Sequence, residues 1–469
     1  MSAADQTHTA LLAQLQDIVG PTGLITGEAD MELYAIDWRR QFPGKPLCVV
    51  RPASTAEVSL VVRACAEAGA AIVPQGGNTG LAAGAVPDGS GAQVVLSLTR
   101  MNAVRALDPI GMTLEADAGC ILKVAQDAAA EAGRLLPVSL AAEGSATVGG
   151  IVSTNAGGVN VLRYGMTRAL VLGLEVVLAD GTIVNGMRRL RKDNAGYDWK
   201  QLFIGSEGTL GIVTAAILRL VPRPKQTVTA LLSVPSPAAA LQLLALTQEE
   251  LGDSISAFEL ISSVSFDLVR RHAGLSPPIA AGDWFVLIEA GASLSGLRDA
   301  AEAALSAALE QEIALDGVVA ESGAQAAQLW ALREHISEGE AREGKSLKHD
   351  ISVPITDIPA FLDAADAALA AGAPGARANV FGHVGDGNLH YNVLVDSSHD
   401  GAAINRLVHD VVDSFGGSIS AEHGIGQYRV EELLRRRSAE ETALCATLKT
   451  ALDPHQRLNP GKVLPVRAP

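Results

Sequence analysis

Pro74-Gln-Gly-Gly-Asn-Thr-Gly-Leu81 follows the strand-like run Ala71 to Val73 and places three glycines within eight residues. Glycine lets successive backbone N–H groups converge on an anion, and Asn and Thr side chains add donors. A pyrophosphate is a natural guest for such a loop. Three further pieces of this kind lie in the first half: Glu143-Gly-Ser-Ala-Thr-Val-Gly-Gly150, Asn155-Ala-Gly-Gly158 and Gly205-Ser-Glu-Gly-Thr-Leu-Gly211. Singly, each reads as an ordinary loop; four together, two of them directly after strands, favour a large phosphate-bearing cofactor. None matches Gly-x-Gly-x-x-Gly, so a nicotinamide-type dinucleotide site has no support.

Around this loop the chain keeps a strand–helix–strand rhythm. Residues 11–19 read as a short amphipathic helix and Leu47 to Val50 as a strand. Ser54-Thr-Ala-Glu57 matches a capping box that opens a helix through Ala68. Further strands are expected at Val94 to Leu98, Thr113 to Ala116, Leu174 to Leu178 and Gly211 to Leu220, with a helix at Ile121 to Ala132. Near Pro222-Arg-Pro224 the texture changes to Ala/Leu-rich helices alternating with strands such as Trp284 to Glu289. This pattern predicts an α+β fold with domains at 1–223 and 224–455 and a C-terminal segment at 456–469.

Composition narrows the class. A chain of 469 residues holds at least two cores, and 48% hydrophobic with 19% charged residues describes an ordered globular protein. A formal charge of −16, without a basic stripe, opposes nucleic acid as a partner. Cys48, Cys65, Cys120 and Cys445 form no Cys-x-x-Cys pair and read as reduced core residues. No run reaches the roughly 18 apolar residues needed to span a bilayer, and no targeting pattern opens the chain, so a cytoplasmic protein is expected.

The second half carries the chemistry-bearing residues. In Phe381-Gly-His-Val-Gly-Asp-Gly-Asn-Leu-His-Tyr-Asn392, Asp386-Gly387 is a two-residue hairpin signal, and counting outward from it sets His383 opposite His390. Cross-strand neighbours lie about 4.5–5.5 Å apart at Cβ, from which two imidazoles can reach one divalent ion. Asn392 shares their face in this register. The simpler reading is two histidines on one sheet face. Ser420-Ala-Glu422-His423-Gly-Ile-Gly426 offers a carboxylate and a third imidazole, provided the backbone turns at its glycines. Two His and one Glu leave coordination positions open, as in a catalytic ion site. Gly339-Glu-Ala-Arg-Glu-Gly-Lys345-Ser346 formally fits a phosphate-binding Gly-x4-Gly-Lys-Ser pattern, but Leu329 to Glu343 reads as a charged helix and no strand precedes it.

With these segments in view, the chain resembles the flavin-linked oxidases and dehydrogenases of the vanillyl-alcohol oxidase superfamily, and within it the D-2-hydroxy-acid dehydrogenases, over nearly its whole length. The resemblance implies a two-part FAD-binding domain of PCMH type, an α+β substrate-binding cap domain and a C-terminal return to the FAD domain. It implies FAD contacts from Pro74, Gly76, Gly77, Asn78, Thr79, Gly80 and Leu81; from Pro137, Leu140, Gly144, Ser145, Thr147, Gly150, Asn155 and Gly157; and from Glu207, Gly208, Ile212 and Asn459. Some relatives attach FAD through a histidine in the pyrophosphate loop; this loop has none, so non-covalent FAD is expected.

The second half looks most like the D-2-hydroxyglutarate dehydrogenases. Trp330 to Ser337 and Leu347 to Ser352 resemble their substrate segments, which implies substrate contacts from Arg333, Ser337, Lys348 and Asn392. Ser337 stands where the family usually has threonine. His383, His390 and Glu422 match the metal ligands, with Zn2+ favoured and Mn2+ as the alternative, and His423 matches the catalytic histidine. The implied reaction is oxidation of D-2-hydroxyglutarate to 2-oxoglutarate, with His423 as base and hydride transfer to flavin N5. A D-lactate or broad D-2-hydroxy-acid dehydrogenase is the alternative. An electron-transfer flavoprotein or quinone is the implied acceptor, and a homodimer is one option for assembly.

Overall fold

The computed structural model describes residues 3–280 and 282–466. Its chain forms two compact units: residues 1–157, 166–222 and 422–469 make one, and residues 158–165 and 223–421 make the other. The sequence texture suggested a return at 456, whereas the chain re-enters the first unit at Glu422. The difference arises because 422–455 is helical and turn-rich like the segments before it, so composition marks no step there.

In the first unit, Pro46–Val50, Gln93–Ser97 and Ile72–Gln75 pair in parallel, in that order, with Leu24–Ile25 antiparallel at one edge. Helix Thr55–Ala68 forms half of the expected capping box: the Ser54 hydroxyl accepts from Glu57 N–H, while the Glu57 carboxylate reaches Ala53 N–H, 2.8 Å away, one residue before the N-cap. The C-terminal segment adds to the far edge, where Ile72 N–H donates to Arg457 O and Asn459 N–H to Ile72 O, both at 2.7 Å. A five-stranded antiparallel sheet follows, in the order Val104–Asp108, Thr113–Asp117, Ile212–Arg219, Val171–Val177, Ile183–Asn185. Cys48, Cys65 and Cys120 are buried, and desolvation pushes the Cys48 thiol up to about 12. Cys445 departs from expectation: it is exposed on helix Ala439–Leu452, which buries only Ala446.

The second unit is built on an eight-stranded antiparallel sheet. Ile255–Ser262, buried along its length, pairs with Trp284–Ala292 on one side and Arg377–Gly382 on the other. Arg377–Gly382 then pairs with Asn388–Leu394, and the register here corrects the sequence reading. His390 faces Phe381, not His383, because the connection is longer than two residues. Gly382 leaves the strand at φ +152°, Val384–Asp386 wind into one 3-10 turn, and Gly387 closes it at φ +87°. That turn carries Val384 into the same core as Leu389, both fully buried. The charged helix expected at 329–343 is two helices, Gly323–Glu334 and Ile336–Glu343, meeting at His335.

Candidate active site

The first unit holds a cavity with about 960 Å3 of atom-free space, open mouth included. Its floor is the loop 76–80 at the carboxyl end of strand Ile72–Gln75, where open α/β sheets bind ligands. Among the described residues, the backbone N–H groups of Gly76 through Gly80 donate to no protein acceptor. A row of unclaimed donors along a half-buried cavity floor is suited to receive an anion. The glycines are needed for close approach: a Cβ on Gly77 would lie 1.9 Å from Ser145 O, and one on Gly76 2.3 Å from Thr147 Oγ1. Asn78 takes φ +51°, and its side-chain amide donates to Ile36 O at 2.9 Å.

Of the expected cofactor residues, Pro74, Gly76, Gly77, Asn78, Thr79, Gly80, Leu140, Thr147, Gly150, Glu207, Gly208 and Ile212 line this cavity. Leu81, Pro137, Gly144, Ser145, Asn155, Gly157 and Asn459 stand outside its wall. Asn155 instead ends helix Val148–Thr154 at φ +50° and accepts from Arg168 N–H. The sequence reading missed Leu98, Ile151, Ser153, Thr154 and Val213 on the wall, apolar or hydroxyl residues that carry no motif of their own.

His423 also lines the cavity. The backbone turns beyond it, with Gly424 at φ +76° and Gly426 at φ +51°. Glu207 holds this turn: its two carboxylate oxygens accept from Ile425 N–H and Gly426 N–H, each at 2.8 Å. A Cβ on Gly424 would come within 2.8 Å of that carboxylate. Burial raises the Glu207 carboxyl above the usual range despite the two donors. Asn459, 1% exposed, ties the same region together by donating to Gly84 O and Glu207 O, both at 2.8 Å.

The second unit gathers the remaining candidates around two fully buried glutamates that the sequence reading did not single out. Glu259, on strand Ile255–Ser262, accepts from Arg333 Nε at 2.7 Å through Oε2 and bonds His383 Nδ1 through Oε1. Burial by itself would raise this carboxyl; the charges and hydrogen bonds of His383 and Arg333 outweigh it and hold the group at about 2. The Arg333 guanidinium also stacks over the Phe381 ring, 4.7 Å from its centroid. Glu340, on helix Ile336–Glu343, lies 2.8 Å from Lys348 Nζ and accepts from Asn392 Nδ2 at 2.9 Å and Asn379 Nδ2 at 3.2 Å. Asn392 is engaged at both ends, because its Oδ1 accepts from His349 N–H. Ser337 is exposed, and no hydrogen bond joins it to the others.

Although out of register, the His383 and His390 rings stand edge to face with centroids 5.9 Å apart. Each Nδ1 faces a carboxylate: His383 bonds Glu259, and His390 lies 3.9 Å from Asp350 Oδ1. Asp350 pairs with His390 across the sheet and is held by Asn388 Nδ2 at 2.9 Å. A histidine oriented through Nδ1 keeps Nε2 for another partner, which is the usual setting of a metal-binding imidazole, so the donor set fits a divalent ion. The Gly339 to Ser346 pattern has no such setting. Gly339 lies inside a helix against the Leu268 backbone, and Glu343 is tied to Arg271 and Arg377.

Residues 46–186 match the family described as "FAD binding domain" and residues 223–463 the one described as "FAD linked oxidases, C-terminal domain". A D-2-hydroxyglutarate dehydrogenase of Xanthomonas citri pv. viticola is 41% identical over 459 residues, covering 96% of each chain. The mitochondrial D-2-hydroxyglutarate dehydrogenase of Bos taurus is 40% identical over 462 residues, covering 97% of this chain and 84% of its own. Among solved structures, p-cresol methylhydroxylase superposes with a TM-score of 0.75 at 15% identity, over 98% of this chain and 97% of its own. Alkyldihydroxyacetonephosphate synthase does so with 0.74 at 17%, over 96% and 84%. At those identities the structural likeness shows the α+β fold alone. No helix among the described residues is long and apolar enough to cross a membrane. The glycine-floored cavity, the two family matches and the full-length relatives agree: this chain belongs to the FAD-linked oxidases and is an FAD-dependent dehydrogenase.

Proposed function

We propose that the chain is a cytoplasmic dehydrogenase that oxidises D-2-hydroxyglutarate to 2-oxoglutarate and passes the electrons from non-covalently held FAD to an electron-transfer flavoprotein or a quinone. One observation carries the substrate: two cations, Arg333 and Lys348, are each mounted on a buried glutamate of the same unit, in a chain whose relatives are named for that compound. A dicarboxylate uses two such cations, whereas a monocarboxylate uses one.

His383, His390 and Glu422 are the proposed ligands of a divalent ion, Zn2+ before Mn2+. Glu422 directly follows Ala421, whose N–H donates to Asp350 O at 3.2 Å. When bound, FAD supplies the two-electron acceptor and the ion a Lewis acid toward the C2 hydroxyl. The chain's own residues do the rest. Arg333, with Nε committed to Glu259, keeps its two terminal nitrogens for one carboxylate, and Lys348 supplies the second charge. Asn392 retains one amide hydrogen for the substrate. His423, on the wall of the cofactor cavity, takes the C2 hydroxyl proton as general base, a role that suits imidazole near neutral pH.

Anaerobic mixing with a panel of D- and L-2-hydroxy acids tests the reaction. D-2-hydroxyglutarate should bleach the flavin fastest; faster bleaching by D-lactate overturns the substrate. Chelation should inactivate without stripping flavin, with activity restored by Zn2+ or Mn2+, and indifference to chelation overturns the metal. Acid precipitation should leave the yellow colour in the supernatant, since loop 74–81 offers no histidine for attachment.

A further inference from the structure

We propose that Glu259 is a positioning residue that couples substrate recognition to ligand orientation, holding Arg333 with one carboxylate oxygen and His383 with the other. The proposal rests on the functional reading above, in which Arg333 binds a substrate carboxylate and His383 a divalent ion. Glu259 is 0% exposed in the middle of an apolar strand, with Phe258 and Leu260 buried on either side. A lone carboxylate there is costly unless fully satisfied, and among the described residues this one is satisfied by those two. Their separations from Glu259, 74 and 124 residues, make this a tertiary device rather than a local one.

The geometry assigns a distinct task to each oxygen. Oε1 accepts from Nδ1–H of His383, so Nε2 is the nitrogen that carries the lone pair whenever the ring is neutral. Oε2 accepts from Nε of Arg333, which directs the terminal nitrogens away from the glutamate, while Phe381 fixes the plane of the guanidinium. One buried group therefore sets both the arm that grips a carboxylate and the imidazole that orients the hydroxyl.

Glu259→Gln tests this directly, because an amide offers one acceptor where the carboxylate offers two. If its NH2 faces His383, Nδ1 must accept, the ring proton moves to Nε2, and ligation is blocked. If its NH2 faces Arg333, the guanidinium is displaced. On purified, flavin-loaded protein, competition with a fluorescent zinc chelator should show Zn2+ binding about 10- to 100-fold weaker in E259Q, the usual cost of losing such an outer partner, or else a KM for D-2-hydroxyglutarate raised by a similar factor. Flavin content and thermal midpoint should stay near the wild-type values, and Glu259→Asp should recover part of the loss. Wild-type zinc affinity and KM in E259Q overturn the proposal. Should E259Q not be recovered folded, E259D carries the test: its shorter carboxylate cannot span both partners, so weakened zinc binding or raised KM supports the role and wild-type values overturn it. Wild-type protein that binds no ion sinks the metal reading itself; wild-type protein that binds zinc while the variants bind it equally sinks only the role of Glu259.

Discussion

The two units present their candidate binding groups by opposite means. The first unit's cavity is floored by main chain, five successive N–H groups from Gly76 to Gly80, with glycines at 76 and 77 where a Cβ would collide with its neighbours. The second unit's cluster is made of side chains, Arg333, Lys348, His383 and Asn392, each fixed by a glutamate with no exposure to solvent. Backbone donors are preorganised by the fold and need little further support, which suits a cofactor common to many oxidases. Charged side chains are flexible and costly to bury, so they need carboxylate partners to hold their aim, and in return they discriminate among substrates.

The largest expected effect lies on the cavity wall. His423→Ala should slow flavin reduction by about two to four orders of magnitude with FAD still bound, measured by anaerobic stopped-flow. Retention of the wild-type rate would remove the base and leave the cavity as a cofactor site only. Gly77→Ala tests whether the floor is truly main chain: with the new Cβ 1.9 Å from Ser145 O, overpacking of about 1–3 kcal/mol should weaken FAD binding by about 5- to 150-fold, read from flavin-to-protein absorbance ratios. Normal occupancy would show that the loop can shift and that the glycine is not required.

On the other side of the comparison, Arg333→Ala removes a charged hydrogen-bonding group of about 1.5–3 kcal/mol, so KM for D-2-hydroxyglutarate should rise about 10- to 150-fold while KM for D-lactate changes little. Equal effects on both would place Arg333 in scaffolding rather than recognition. The smallest effect concerns Lys462, 3% exposed, whose amine is lowered to about 8 by desolvation. Its folded pKa lies below the unfolded value of about 10.4, so between those values the unfolded chain binds more protons and stability rises with pH. Below pH 8 the full penalty is felt, on the order of 3 kcal/mol. Lys462→Met should therefore raise the thermal midpoint at pH 7.5 and narrow its lead at pH 9.5; a variant equally stable or less stable at pH 7.5 contradicts the assignment.

Much of the first unit was legible because its signals are local. Strand Ile72–Gln75, helix Thr55–Ala68 and its Ser54 cap follow from apolar periodicity and one hydroxyl, and loop 76–80 follows from glycine. The hairpin was legible only in part. Asp386-Gly387 does mark a turn, but a 3-10 turn at Val384–Asp386 lengthens the connection beyond two residues, and no residue there announces it. Glu259 left a faint trace as a single acid in the apolar strand Ile255–Ser262. Glu340 left none, since on one short helix it looks like its exposed neighbour Glu338.

The sequence by itself determined the class of fold, the glycine-rich loop that floors the cavity and the histidines, arginine and lysine proposed for chemistry, because backbone conformation and hydrophobic period are written residue by residue. Only the tertiary structure decided that His423 shares a wall with that floor, that His383 meets His390 from outside its register, and that two buried carboxylates hold Arg333 and Lys348. Those pairings join residues tens to hundreds of positions apart, and they exist because a charge placed in the core has to find its partner wherever the chain happens to pass.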